Sequence, residues 1–118
     1  MSKLILAGAL LPAVLLMGQA EVPRPAPDFT VNLPGGQALP IQSLKGKIVV
    51  LAFISTTCSH CQQLTGELSA IQREYGAKGV QILESAFNDG VTEKAVREFV
   101  AQYHPGFPVG MNLSLIHI

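Results

Sequence analysis

Lys47 to Cys61 reads KIVVLAFISTTCSHC, and the division of that stretch decides the fold. Ile48 to Ile54 is an unbroken apolar run rich in β-branched residues and too short for a membrane span. Its composition predicts a central strand covered on both faces. At Ser55-Thr56-Thr57 the polarity switches to residue types that cap helix starts. Cys58-Ser59-His60-Cys61 is then expected in the first turn of the following helix. A C-x-x-C that joins a strand to a helix is the pattern of a redox dithiol.

The chemistry follows from position. A thiol attacks a disulfide only as its thiolate, and a helix N-terminus favours that form by aiming free N–H groups at the sulfur. Cys58 is therefore expected to be the nucleophile. Cys61, one turn further in and at the start of a buried stripe, is expected to resolve the mixed disulfide. His60, if protonated, stabilises the thiolate and makes the disulfide the better oxidant. An exposed helix residue with no such role fits His60 equally well. Other uses of the cysteines fare differently. Haem attachment needs C-x-x-C-H, and residue 62 is Gln. Structural zinc needs a second ligand cluster, which the chain lacks. Copper(I) accepts two soft thiolates, so a copper(I)-binding chaperone remains the alternative reading.

The 118 residues bound the chain to one domain. Eight basic and eight acidic residues cancel, and only 14% of residues are charged. That balance gives no reason to expect nucleic acid or an anionic membrane surface as a partner. Both cysteines sit in the one motif, leaving none for a structural disulfide framework.

Around the motif the chain divides into four segments. Residues 1–20 carry Lys3, an apolar run from Leu4 to Met17, and the small-x-small site Gly18-Gln19-Ala20. These are the parts of a secretory signal peptide. The apolar run is short for a hydrocarbon core of ~30 Å, so an uncleaved anchor is the weaker reading. Export to an oxidising compartment suits disulfide chemistry. Residues 21–27 form a proline-rich linker. The domain is expected over residues 28–112. Asp28–Leu33 and Gln37–Ile41 are the arms of a hairpin around Pro34-Gly35-Gly36. After the dithiol, Leu64, Leu68, Ile71 and Tyr75 recur at helical spacing and predict the helix's apolar face, with Gly76 as a left-handed cap. Val80–Ala86 predicts a second, parallel strand. Thr92 caps a second helix whose buried face is Ala95, Val96, Phe99, Val100 and Tyr103. Phe107–Met111 predicts a short strand at a sheet edge because of Pro108. Residues 113–118, LSLIHI, are the translation of CTG TCT CTT ATA CAC ATC, a string that resembles a sequencing-library adapter. The last six residues are accordingly expected to be translated adapter, with no function for His117.

With these residues placed, the chain resembles the thioredoxin superfamily in its exported TlpA/ResA-like branch of thiol–disulfide oxidoreductases. The resemblance runs from about Pro25 to Met111 and rests on PAPDF, LKGKIVVLAFISTTCSHC and YGAKGVQIL. It implies a thioredoxin-like α/β fold, with an N-terminal hairpin and central parallel strands flanked by helices. It implies Cys58 as nucleophile and Cys61 as resolver, with Thr57, Ser59 and His60 tuning the potential, and neither cofactor nor metal. It also implies protein dithiols and disulfides as substrates, an inner-membrane electron donor and a periplasmic location. The family's usual tryptophan before the first cysteine is Thr57 here, and the chain has no Trp. The peroxiredoxin signature Pro-x-x-x-Thr-x-x-Cys is replaced by Leu51, Ser55 and Cys58, which argues against a peroxidase. The family's cis-proline strand has no counterpart, because Pro105 and Pro108 come too early. The fold is therefore expected to be incomplete at its C-terminus.

Overall fold

The structure is a computed structural model that describes residues 23–112. The expected signal peptide and adapter-derived tail lie outside the described residues, and residues 23–27 of the linker are exposed. Thr30–Asn32 (β1) and Ala38–Pro40 (β2) pair antiparallel. The Leu33 N–H donates to the Gln37 carbonyl at 2.8 Å and closes the predicted hairpin. A 3-10 turn at Ile41–Leu44 leads into Ile48–Ile54 (β3), Ser59–Tyr75 (α1), Val80–Ala86 (β4), Glu93–Tyr103 (α2) and Val109–Met111 (β5). The strands form one mixed sheet in the order β2-β1-β5-β4-β3, with β3, β4 and β5 mutually parallel.

Two strands sit elsewhere than the sequence predicts. Among the described strands β3 is an edge, paired only with β4, and it exposes Ile48, Val50 and Phe53. The interior position belongs to β4. An apolar, β-branched run reports affinity for a sheet, and this one does not report how many neighbours the strand has. Conversely β5 is interior, between β4 and β1. Pro108 is no obstacle, because it precedes the strand and offers only its carbonyl, which accepts the Glu84 N–H at 3.1 Å.

Both helices cover the same face, as successive parallel crossovers moving in one direction across a sheet require. Ile54, Ile82, Ala86 and Met111 from the strands meet Leu68 of α1 and Val96 and Phe99 of α2. On the opposite face Phe29 meets Phe53 edge-on, ring centres 5.5 Å apart. The inward stripe of α1 is rotated from the predicted one. Leu68 is shared, but Leu64, Ile71 and Tyr75 are more than a third exposed. Thr65 and Ser69 are buried in their place, with Cys61 packed against the core. These polar side chains are tolerated because each is bonded, Ser69 Oγ donating to the Thr65 carbonyl at 2.7 Å. Gln72 works similarly, accepting from the Ile82 N–H at 2.7 Å and donating to the Val80 carbonyl at 3.1 Å. The left-handed residue after α1 is Gly79 (φ 93°), while Gly76 is right-handed and starts a 3-10 turn. In α2 the prediction holds at the cap, where Thr92 Oγ1 accepts from the Ala95 N–H at 3.1 Å.

Gly110 lies where β5 meets β1, and a Cβ there would fall 2.3 Å from the Asn32 carbonyl oxygen. Gly110→Ala is expected to destabilise the domain by about 3 kcal/mol, read by denaturant unfolding. Gly66→Ala on the open side of α1, where nothing lies within 4 Å, should instead stabilise by up to about 1 kcal/mol.

Candidate active site

The turn between β3 and α1 is built by hydrogen bonds that fix its backbone. The Cys58 N–H donates to the Ser55 carbonyl at 3.2 Å, and Cys58 is the N-cap of α1. Thr56 is held from both sides: its N–H donates to Asn88 Oδ1 at 3.2 Å, and its carbonyl accepts from Gln62 Nε2 at 3.2 Å. The hydroxyls of Ser55 and Thr57 lie 3.2 Å apart. Asn88 reaches the turn because β3 and β4 end level, with the Phe87 N–H donating to the Ile54 carbonyl at 3.1 Å.

This places the two predicted cysteines together, with Cys58 at the helix entrance and Cys61 one turn in, and neither is in a disulfide. Their environments differ in sign. The Cys61 N–H and then the Cys61 thiol donate to Cys58, and the His60 N–H adds to them. Together they hold the Cys58 thiol below its ordinary pKa against a smaller effect of burial. At Cys61 the Ser55 N–H, 3.5 Å from Sγ, pulls the thiol down. Burial, Cys58 and the carboxylate of Glu84 outweigh that and push it up. Ser59 and His60 lie exposed on the first turn of α1, and Thr57 is exposed just before it. The structure thus gives His60 a contribution through its backbone amide.

Glu84 is the residue the sequence reading missed. It is 0% exposed, in the middle of β4, with Ala52 and Val109 as its register partners. Its side-chain partner is the Thr65 hydroxyl, 2.9 and 3.1 Å from its two oxygens. That hydroxyl also lies 3.0 Å from the Cys61 carbonyl. A hydroxyl has one proton to give, so it serves either the carboxylate or the carbonyl. Protonating Glu84 removes the competition, because the carboxyl then donates to Thr65 Oγ1 and Thr65 donates to Cys61. Burial pushes the Glu84 pKa up to about 6 against the opposing pull of the Thr65 bond. The signal was present in VQILESA, where the alternation of a strand puts Glu84 on the inward side with Ile82 and Ala86. Among the described residues no three His, Cys, Asp or Glu side chains cluster in a way that holds a metal ion.

The pH dependence of Glu84 has a definite sign. Its folded pKa is above the ordinary carboxylate value, so its contribution to stability is full below pH ~4.5 and is lost as pH rises through about 6. The loss is on the order of 2 kcal/mol. Denaturant unfolding between pH 4.5 and 7.5 should therefore show wild type losing stability with rising pH relative to Glu84→Gln, which carries no such titration. Parallel curves would contradict this.

Comparison with known proteins places this geometry in context. The model described as "AhpC/TSA family" matches residues 22–114. The thiol-disulfide oxidoreductase ResA of Bacillus cereus (strain ZK / E33L) is 35% identical over 92 residues, which is 78% of this chain and 52% of that protein. The chain thus spans about half the length of the curated relatives it matches. A putative thiol:disulfide interchange protein DsbE from Chlorobium tepidum superposes with a TM-score of 0.67 at 26% identity, covering 75% of this chain and 61% of that one. A thioredoxin family protein from Chlorobium tepidum TLS gives 0.69 at 22% identity, over 83% and 66% of the two chains, and supports the thioredoxin-like fold.

Proposed function

The chain belongs to the AhpC/TSA family, and on that premise we propose that it exchanges two electrons with protein dithiols and disulfides through Cys58 and Cys61. The observation that carries the reading is the placement of Cys58 at the N-cap of α1 with Cys61 one turn in, its Sγ 3.5 Å from the Ser55 N–H. In the reducing direction the Cys58 thiolate attacks a substrate disulfide, forming a mixed disulfide and releasing one substrate thiolate. Cys61 then gives up its proton and attacks Cys58 Sγ. The Cys58–Cys61 disulfide forms, the second substrate thiolate leaves, and two electrons have passed to the substrate. The same steps run backwards for oxidation. No bound cofactor enters the sequence.

Glu84 acts in this scheme on the resolving thiol. Burial and the neighbouring Cys58 push the Cys61 thiol up and the Glu84 carboxylate adds to them, so Cys61 stays a thiol while Cys58 ionises. Thr57, Ser59 and His60 line the approach to Cys58 and shape the potential from outside. The relatives named as thiol–disulfide oxidoreductases support substrates that are themselves proteins. The N-terminal sequence supports a periplasmic setting, where an inner-membrane donor would recharge the dithiol. Among the described residues no helix is long and apolar enough to cross a membrane.

The test begins with alkylation of the reduced chain at pH 7, followed by peptide mass mapping. Cys58 should react at least about tenfold faster than Cys61. Cys58→Ser should abolish reduction of a fluorogenic peptide disulfide. Cys61→Ser should instead accumulate the mixed disulfide as a covalent adduct visible by mass. Stoichiometric copper(I) binding lost in both variants, with no disulfide reduced by the wild type, would establish the copper chaperone in its place.

A further inference from the structure

Beside the cysteine turn, on the side of α2, lies a cleft of about 180 Å³ lined by Thr56, Thr57, Ala95, Glu98, Phe99, Gln102 and Tyr103. Its lining is divided by chemistry. Phe99 and Tyr103 are aromatic, with ring centres 4.8 Å apart, and Phe99 is buried. Glu98 and Gln102 are exposed polar residues, and no cation is among the lining residues. Lys94 approaches Glu98 from one turn back on α2 at 3.8 Å, but both side chains are largely exposed. An exposed pair of this kind is weakly held and open to exchange with an incoming cation.

We propose that this cleft is a specificity subsite that seats a lysine or arginine side chain next to the reactive cysteine of the substrate polypeptide. The inference rests on the dithiol-exchange reading and adds the chemical class of substrate that the site prefers. Three features of the cleft point to that occupant. A long cationic side chain has an apolar stem and a charged end, and aromatic side chains flanked by a carboxylate complement both parts. Gln102 adds an amide oxygen able to accept from an ammonium or guanidinium group. Thr57, which lines the cleft, directly precedes Cys58. A substrate strand that presents its sulfur to Cys58 therefore carries its neighbouring residues past this opening. Thr57 lines the cleft with a small side chain, and a larger one at this position is expected to reduce its volume.

The test uses the full 118-residue chain in its reduced form and two peptide disulfides that differ only in the residue beside the attacked cysteine, lysine or glutamate. At low salt the lysine peptide should have a kcat/KM roughly fivefold above that of the glutamate peptide, the ratio shrinking as salt screens the pair. Glu98→Lys should reverse the order, and Thr57→Trp should bring the ratio towards one by filling the cleft. A ratio that Glu98→Lys leaves unchanged overturns the proposal. A second readout separates it from the redox reading. The lysine peptide with its cysteines replaced by serine cannot exchange, yet it should shift the amide resonances of Ala95, Glu98 and Tyr103. If those resonances move while neither disulfide peptide is reduced, the subsite stands and the dithiol reading falls. If neither effect occurs, both fall.

Discussion

Seven residues of β3 pair in parallel register with seven of β4, from Ile48↔Val80 to Ile54↔Ala86, and the site is assembled on that ladder. Because the two strands end level, the loops that follow them emerge side by side. One loop carries Thr56, Thr57 and Cys58, and the other carries Asn88. The bonds between Asn88 and Thr56 are a direct product of this alignment. The ladder also sets Glu84 two residues before the end of β4, on the face that α1 covers. A slip of one residue would turn Glu84 to the opposite face and bring Ser85 beneath Cys61, since side chains alternate along a strand. The pairing therefore determines the backbone of the cysteine turn and the electrostatics beneath it together.

The parts of this arrangement that could be read in the sequence are those written in local pattern. The bounds of β4, the Thr92 cap and the hairpin turn follow from alternation, capping chemistry and turn residues that act within a few positions. The C-x-x-C was legible for the same reason, because a helix N-terminus supplies its own N–H groups whatever the rest of the sheet does. What failed was non-local. Among the described strands β3 lies at an edge and β5 inside, an order set by pairings between distant segments. The rotation of α1 is similar. Leu64, Ile71 and Tyr75 made the more hydrophobic stripe, yet the helix turns Thr65 and Ser69 inward. That choice makes sense only once Glu84 is known to need a donor from the helix above it.

Two fields meet at the cysteines. Above, the free amides of the first turn of α1 draw negative charge onto Cys58. Below, burial and Cys58 resist it at Cys61, and the buried carboxylate of Glu84 adds to them. Neither effect alone separates the two thiols well. Backbone amides favour thiolate at both sulfurs to some degree, since the Ser55 N–H, from the turn that follows β3, donates to Cys61. Burial, the neighbouring Cys58 and, least of the three, the Glu84 carboxylate reverse the outcome at the inner sulfur, while the outer one stays under the control of the amides. The opposite directions of the two thiols come from this vertical arrangement of influences.

The cost of that arrangement argues that stability is not what it serves. Among the described residues Glu84 has no cation beside it, only a hydroxyl with a single proton, and burial raises its pKa to about 6 against the pull of that bond. A valine or leucine on β4 would pack against Ala52, Val109 and the inward side of α1 without a desolvation penalty. Thr65 points the same way, for its hydroxyl is placed where it can move between the Glu84 carboxylate and the Cys61 carbonyl. A fully buried titratable carboxyl of this kind, bonded to a hydroxyl one turn from Cys61, belongs to the class of perturbed groups that cluster at functional sites. Elsewhere along the core face of β4 the chain places Ile82 and Ala86, both apolar. The exception, Glu84, lies opposite Thr65, one turn beyond Cys61.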